Sequence, residues 1–234
     1  RAYEMVLGNP NIAVGYRNTL FYVVVGTSLN LVLTSFGAFV LSRRDFRPRN
    51  LIMILIVLTM FFDGGLIPRF FIVRGLGMYN SVWALIFPVA INTWNLIIMR
   101  TFFQSIPQSL EESAKIDGAS YYRILFNIIV PLSGPVIAVM ILYYAVFHWN
   151  SWFTALIYLR DRPLFPLQLF LRELVVEAES NLRSDTTSSM VDDSLFKELT
   201  KYATIIVSTV PILAVYPFLQ RYFVKGVMIG AIKG

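Results

Sequence analysis

The chain has no cysteine and a single histidine, His148. Without thiols there is no disulfide framework and no cysteine-based zinc site. One imidazole cannot build a histidine cluster, so no metal ligand is assigned. Charge is also scarce: 15% of the 234 residues are Asp, Glu, Lys or Arg, against about 25% in ordinary globular domains. No G-x-x-x-x-G-K-[ST] run occurs, which excludes a phosphate-cradling loop and any nucleotide hydrolysis that depends on one.

What remains is apolar. Hydrophobic residues make up 56% and aromatic residues 15%, with a mean hydropathy of +0.64. They form blocks on the scale of the roughly 18–20 uncharged residues that cross a bilayer. Asn18–Ser42, Gly75–Met99 and Tyr202–Gln220 contain no charge, and Asn50–Phe62 continues past Asp63 to Pro68. Ile124–Leu159 is uncharged but too long for one crossing, and Pro131 and Pro135 mark an interfacial entry before the span proper. The expected fold is all-α, a polytopic membrane helical bundle in one domain, 1–234. Its spans are expected at about 18–42, 50–68, 76–99, 134–158 and 202–221.

Basic residues orient these spans. Arg43, Arg44, Arg47 and Arg49 follow the first span, opposed only by Asp45, and Arg221, Lys225 and Lys233 follow the last. Both regions are expected in the cytoplasm, together with a loop at about 104–131. Segment 160–201 falls outside, as an amphipathic helix from about Pro166 and then a polar run, "ESNLRSDTTSSMVDDS". Residues 1–17 form an external approach with turn material at "GNPN". An outside amino end without a signal peptide leads to the expectation of one further span upstream, six in all. The net charge of +6 and pI near 9.6 follow from this topology. No aromatic-interleaved basic patch argues for nucleic acid.

Within the cytoplasmic loop lies "SLEESAKIDGAS", Ser109–Ser120. Ser109 with Glu112 three residues later forms a capping-box pattern. Glu111 and Glu112 lie in the first turn, where the helix dipole favours acids, and Gly118 suits the left-handed stop. A helix this short is marginal in water and needs a surface to pack on. Ser113 and Ala114 are small enough for close approach, and Leu110 shares a face with Ala114. Spacing alone leaves two readings open: a connector lying on its own bundle, or a docking element for another protein.

The flanks favour the second. "EESAKIDGASYYRILFNIIVPLSGP" resembles the EAA loop of binding-protein-dependent ABC importers, with Glu112, Ser113, Ala114, Gly118 and the Val130–Pro131 pair at the family's spacing. The sugar-importing, MalG-like branch is the most similar. "SFGAFVLSRRDF", "VFHWNSWFTALIYL" and "YFVKGVMIGAIKG" resemble other family segments, and "DGGLIPRFFIVRGLGMYNS" resembles the LplC-type subgroup. Ser113 departs from the usual Ala but is similarly small.

The resemblance implies a type I importer permease fold in a bacterial inner membrane, multi-pass and surrounded by lipid. It implies a non-catalytic subunit, with ATP and magnesium held by two partner ATPase subunits. A second homologous permease and an extracytoplasmic solute-binding protein complete the assembly. The short helix then couples to the ATPase through Glu111, Glu112, Ser113, Ala114, Asp117 and Gly118. The implied solute is an oligosaccharide, an acidic one such as an alginate or pectin fragment by the subgroup.

Polar residues within spans mark candidate pathway positions. Asn92, Trp94 and Asn95 lie in the third visible span; Trp149, Asn150 and Trp152 lie in the one after the loop. Indole faces and amide groups suit sugar rings and hydroxyls, and interfacial anchoring and helix packing are the competing roles. His148 reads as a helix-packing residue, and Asp63 as an interfacial charge at a turn. Arg69 and Arg74 read either as surface charge or as favouring an acidic solute or an acidic patch on the delivering protein. A permease for another small solute, an ion-coupled secondary transporter and a membrane scaffold are the rival functions.

Overall fold

The computed structural model describes Gly8, residues 10–184, and helical positions within 202–214, with side chains placed up to Val176 in the main stretch. The last expected span, 202–221, lies only partly within the described residues. Arg221, Lys225, Lys233 and the polar run beyond Ser184 lie outside them. The described residues contain helices and no strand.

Helix α1 runs Pro10–Ser42, about 50 Å at 1.5 Å per residue. The described residues of the "GNPN" stretch, Gly8, Pro10 and Asn11, are helical rather than a free turn. Next come α2 (Arg49–Phe61), α3 (Leu66–Gly75), α4 (Trp83–Ile86), α5 (Thr93–Ser105) and α6 (Gln108–Ile116). α7 (Tyr121–Ile124), α8 (Val130–Leu132), α9 (Gly134–Trp149), α10 (Trp152–Tyr158) and α11 (Leu167–Ser184) follow.

Among the described residues, α1 alone is long and apolar enough to cross a membrane by itself. Three broken pairs pass the same test together: α2 with α3, residues 83–89 with α5, and residues 121–132 with α9. Proline and polar residues sit at these breaks. Between α7 and α8 the helix widens to a π turn over Leu125–Ile129. Pro131 comes two residues later; it cannot donate in the ladder and pushes the chain off α geometry. The path then bends by 86° at Ser133. α11 reaches Ser184, further than the polar composition after Ala178 leads one to expect.

The chain divides into two compact units. The first takes α1 up to Val25, residues 70–88 and residues 145–218. Here the start of α1 holds the segment between α10 and α11. Asn18 Nδ2 donates to the carbonyls of Pro163 and Phe165 at 2.7 and 2.9 Å. Tyr22 Oη donates to Leu164 O at 2.8 Å, and the Leu167 N–H donates to Thr19 Oγ1 at 2.8 Å. Gly15 permits the approach: a Cβ there would lie 2.9 Å from Leu167 Cα, closer than side-chain carbons come.

The second unit takes α1 from Gly26, the chain to Arg69, and residues 89–144. α1 is patterned inside out, as lipid requires. Val32 and Val40 are exposed, while Thr27, Asn30, Thr34 and Ser35 are buried. Asn30 Nδ2 donates to the carbonyls of Val89 and Ala90 at 2.7 and 2.8 Å. It thereby satisfies backbone freed by the break before α5, which hydrocarbon would leave unpaired. Thr34 and Tyr144 share a hydroxyl bond of 2.7 Å. The apolar core of this unit gathers Ala38, Phe39, Leu96, Met99, Phe103 and Ile124 among others.

Candidate functional site

α6 has nine residues, Gln108–Ile116. It begins earlier than the capping box implies: Pro107 is the N-cap residue, without a side-chain cap bond. Ser109 therefore lies inside the first turn, where its hydroxyl cannot serve as the cap. The stop falls at Gly118 as the sequence indicates. Gly118 has φ +76°, its N–H donates to Lys115 O at 3.0 Å, and the Ala119 N–H donates to Ala114 O at 2.9 Å. These are the two bonds of a Schellman motif.

The faces of α6 separate by chemistry. Glu111 and Ala114, three apart, are buried at 4% and 9% exposure. Ala114 belongs to its own unit's core, with Phe39, Phe103 and Ile124. Ser109, Glu112, Ser113 and Ile116, spaced at i, i+3, i+4 and i+7, are exposed, and Ile116 is 87% exposed. It offers an apolar side chain at the end of the helix. Sequence reasoning overlooked it, although its i+7 spacing from Ser109 places it on the stripe of Glu112. Asp117 and Gly118 are exposed as well.

Glu111 is anchored within its own chain. Arg43 Nη1 donates to Glu111 Oε2, and Lys115 Nζ lies 3.1 Å from Oε1. Arg43 also donates to Ser42 Oγ at 3.0 and 2.9 Å and to Phe103 O at 3.2 Å. Its guanidinium covers the Phe39 ring at 4.8 Å. Lys115 continues to Asp45 Oδ2 at 3.4 Å, and Tyr121 Oη donates to the same oxygen at 2.9 Å. Partial burial disfavours the Asp45 charge, but the Tyr121 and Lys115 bonds and the Lys115 charge outweigh it and hold the carboxyl below its ordinary range. Burial likewise opposes the Lys115 charge, and Glu111 and Asp45 reverse that, raising the ammonium above its ordinary value.

Two cavities flank this network. A polar one of about 680 Å³ is lined by Arg43, Arg44, Arg49, Gln104, Glu112 and Lys115 among others. An apolar groove of about 470 Å³ is lined by Phe36, Phe39, Phe46, Tyr121, Tyr122 and Leu125 among others.

The candidate pathway residues take several roles. In the second unit, Asn92 caps α5, its Oδ1 accepting from the Asn95 N–H at 3.1 Å. Asn95 is buried, and Trp94 is 57% exposed. In the first unit, Trp149 is buried and meets Tyr16 edge-on at 6.2 Å. Asn150 is exposed and donates to Val146 O at 3.0 Å. The Arg172 guanidinium lies 4.8 Å from the Trp152 ring centre, so that indole face already has a cationic partner. His148 is fully buried. Arg69 is not free to attract an acidic solute: its Nη2 donates to both oxygens of Asp63 at 2.9 Å. Asp63 also accepts from the Gly65 N–H at 3.1 Å.

Residues 12–229 match the family described as binding-protein-dependent transport system inner membrane component. The polygalacturonan/rhamnogalacturonan transport system permease protein YtcP of Bacillus subtilis (strain 168) is 44% identical over all of this chain and 81% of its own. Protein LplC of the same organism is 43% identical, over all of this chain and 78% of its own. The fold matches a chain in the crystal structure of a bacterial ABC transporter involved in the import of the acidic polysaccharide alginate. That match has a TM-score of 0.83 and 34% identity, over 95% of this chain and 79% of that one. The chain belongs to the binding-protein-dependent transport system inner membrane component family, with the type I importer permease fold. It is a permease subunit of an ABC importer, which displaces the ion-coupled and scaffold readings.

Proposed function

We propose that this chain, as a member of that family, translocates an acidic oligosaccharide across the inner membrane in an assembly with four kinds of component. These are this permease, a second related permease, two ATPase subunits that carry ATP and magnesium, and an external solute-binding protein. The solute class rests on the names of relatives, whose stated cargoes are polygalacturonan/rhamnogalacturonan and alginate. These are polymers built on acidic sugars, so short uronic-acid oligomers are the proposed cargo.

The observation that carries the docking step is the outer stripe of α6. Ser109, Glu112, Ser113 and Ile116 face away from the chain, while Glu111 and Ala114 hold the helix from beneath. The resemblance implies coupling roles for Glu111 and Ala114, and their burial supports reading them as the inner, supporting side of the helix. Glu112 gives the partner a charged contact, Ser113 allows close approach, and Ile116 gives it an apolar one. Asp117 and Gly118 form the turn that ends the helix. Along the pathway, Asn92, Trp94 and Asn150 are the exposed candidates. Asn95 closes the Asn92 cap, Trp149 packs on Tyr16 and Trp152 meets Arg172.

A single cysteine at Ser113 tests the docking step, since the chain has no other cysteine. Crosslinking in intact membranes is expected to trap a protein with a phosphate-binding loop. Capture of no such protein overturns the docking assignment. Uptake of labelled oligouronides into proteoliposomes with ATP tests the solute, and selective uptake of neutral oligomers overturns the acidic reading.

A further inference from the structure

Both flanks of α6 are built to turn. Ile106 and Pro107 are extended, with ψ near 130°. At the other end, Gly118 has a left-handed φ and open space where a Cβ would stand. A nine-residue helix between two such joints would swing under load unless something fastens it. The fastening is visible: Glu111 accepts from Arg43 and Lys115, Lys115 reaches Asp45, and Asp45 accepts from Tyr121. Arg43 also donates to Ser42 and to the Phe103 carbonyl. The network thus ties α6 to three elements at once: the end of α1, the end of α5 and the start of α7.

We propose that Arg43 and Glu111 are the positioning pair of the importer, fastening α6 to the Ser42 end of α1 so that displacement of its outer face is delivered to α1. This goes beyond docking but rests on the reading of the outer stripe as the face on which a partner acts. It separates two adjacent glutamates. Glu112 meets the partner, and Glu111 transmits what the partner does. The side-chain exposures of 10% and 6% at Arg43 and Glu111 leave the pair little surface to offer that partner. Charge is the suitable chemistry, because a buried guanidinium–carboxylate pair is strong and directional in a medium of low dielectric.

Two measurements test this. In proteoliposomes holding the assembled importer, Glu111→Gln is expected to leave ATPase capture and ATP hydrolysis in place. Solute moved per ATP is expected to fall about tenfold, within the usual range of coupling between sites. The charge exchange Arg43→Glu with Glu111→Arg is expected to recover a substantial part. An unchanged ratio overturns the proposal, and so does loss of ATPase capture equal to that of Glu112→Ala, which would make Glu111 a docking residue.

The second measurement needs no ATPase. Spin labels on Arg44→Cys and Ser113→Cys, both exposed positions, report the separation of α6 from the end of α1 in the full chain in lipid. A narrow distribution is expected, broadening with Glu111→Gln or, should that variant fail to insert, with Lys115→Gln. A wild-type distribution that is already broad, or one indifferent to both substitutions, overturns the clamp. If the Ser113→Cys chain with Glu111 and Arg43 intact traps no ATPase, the docking reading fails, while the label distances still decide whether the clamp exists.

Discussion

The two ends of α1 are both clamps, built with opposite chemistry. At the start, Asn18, Thr19 and Tyr22 hold the backbone of residues 163–167 through neutral hydrogen bonds, and Gly15 removes the last side chain between the two backbones. At the end, Arg43 holds α6 through a buried ion pair and its extensions to Lys115 and Asp45. The first clamp is short and close-packed, with no charge to compensate. The second reaches across a gap with long side chains, and each charge depends on its partner remaining there. Neutral bonds suit a joint that stays fixed; charged ones suit a joint that must hold while a neighbour pushes on it.

That contrast should break most visibly at Glu111. Glu111→Ala leaves the Arg43 guanidinium buried without its carboxylate, and losing one partner of a buried pair costs about 3–5 kcal/mol. A matching fall in unfolding free energy in detergent is expected, and a loss below about 1 kcal/mol would place the pair at the surface. Gly15→Ala comes next. Its methyl meets backbone at Leu167, which cannot rotate away, and overpacking of this kind costs about 1–3 kcal/mol; thermal unfolding measures it.

Tyr22→Phe sharpens the comparison by removing one neutral bond while keeping the ring. The net loss is expected at about 0.5–1.5 kcal/mol, and it should not change with salt. Glu112→Ala should move stability by less than about 0.5 kcal/mol, as exposed substitutions do, yet abolish ATPase capture through the Ser113 crosslink. A stability loss there equal to that of Glu111→Ala would mean the two faces of α6 are misassigned.

The smallest expected effect is that of pH on the charged clamp. Asp45 has a lowered folded pKa, so its contribution is complete above its unfolded value of about 4 and is lost as pH falls through the lower folded value. Lys115 has a raised one, so its contribution is complete below about 10.4 and is lost as pH rises through the higher folded value. Between about pH 5 and 9 the label distance from α6 to the end of α1 should therefore stay constant. A broadening within that window would require a different titrating group.

Much of this was legible in the chain itself. Uncharged runs mark the apolar helices, of which α1 and three broken pairs among the described residues are long enough to cross a membrane. Gly118 marks a helix end, because few other residues adopt its φ cheaply. The "EESAKIDGAS" pattern carries the family resemblance that the comparisons bear out. Other features were not legible. Asp63 and Arg69 are six apart and read separately as a turn charge and a solute attractor, yet they neutralise each other across the turn before α3. Asn30 is a lone amide in an apolar run, and only the break before α5 shows which carbonyls it satisfies.

The sequence by itself determined the long apolar segments and the short helix between them that stops at Gly118, while its resemblance to a known family supplied the permease reading. Composition and local spacing act over a few residues, and bilayer insertion reads them directly. Only the tertiary structure decided which of two neighbouring glutamates faces inward. Glu111 and Glu112 have the same side chain and differ by about 100° around one helix. Arg43, sixty-eight residues earlier in the chain, makes one of those directions a buried ion pair and leaves the other open.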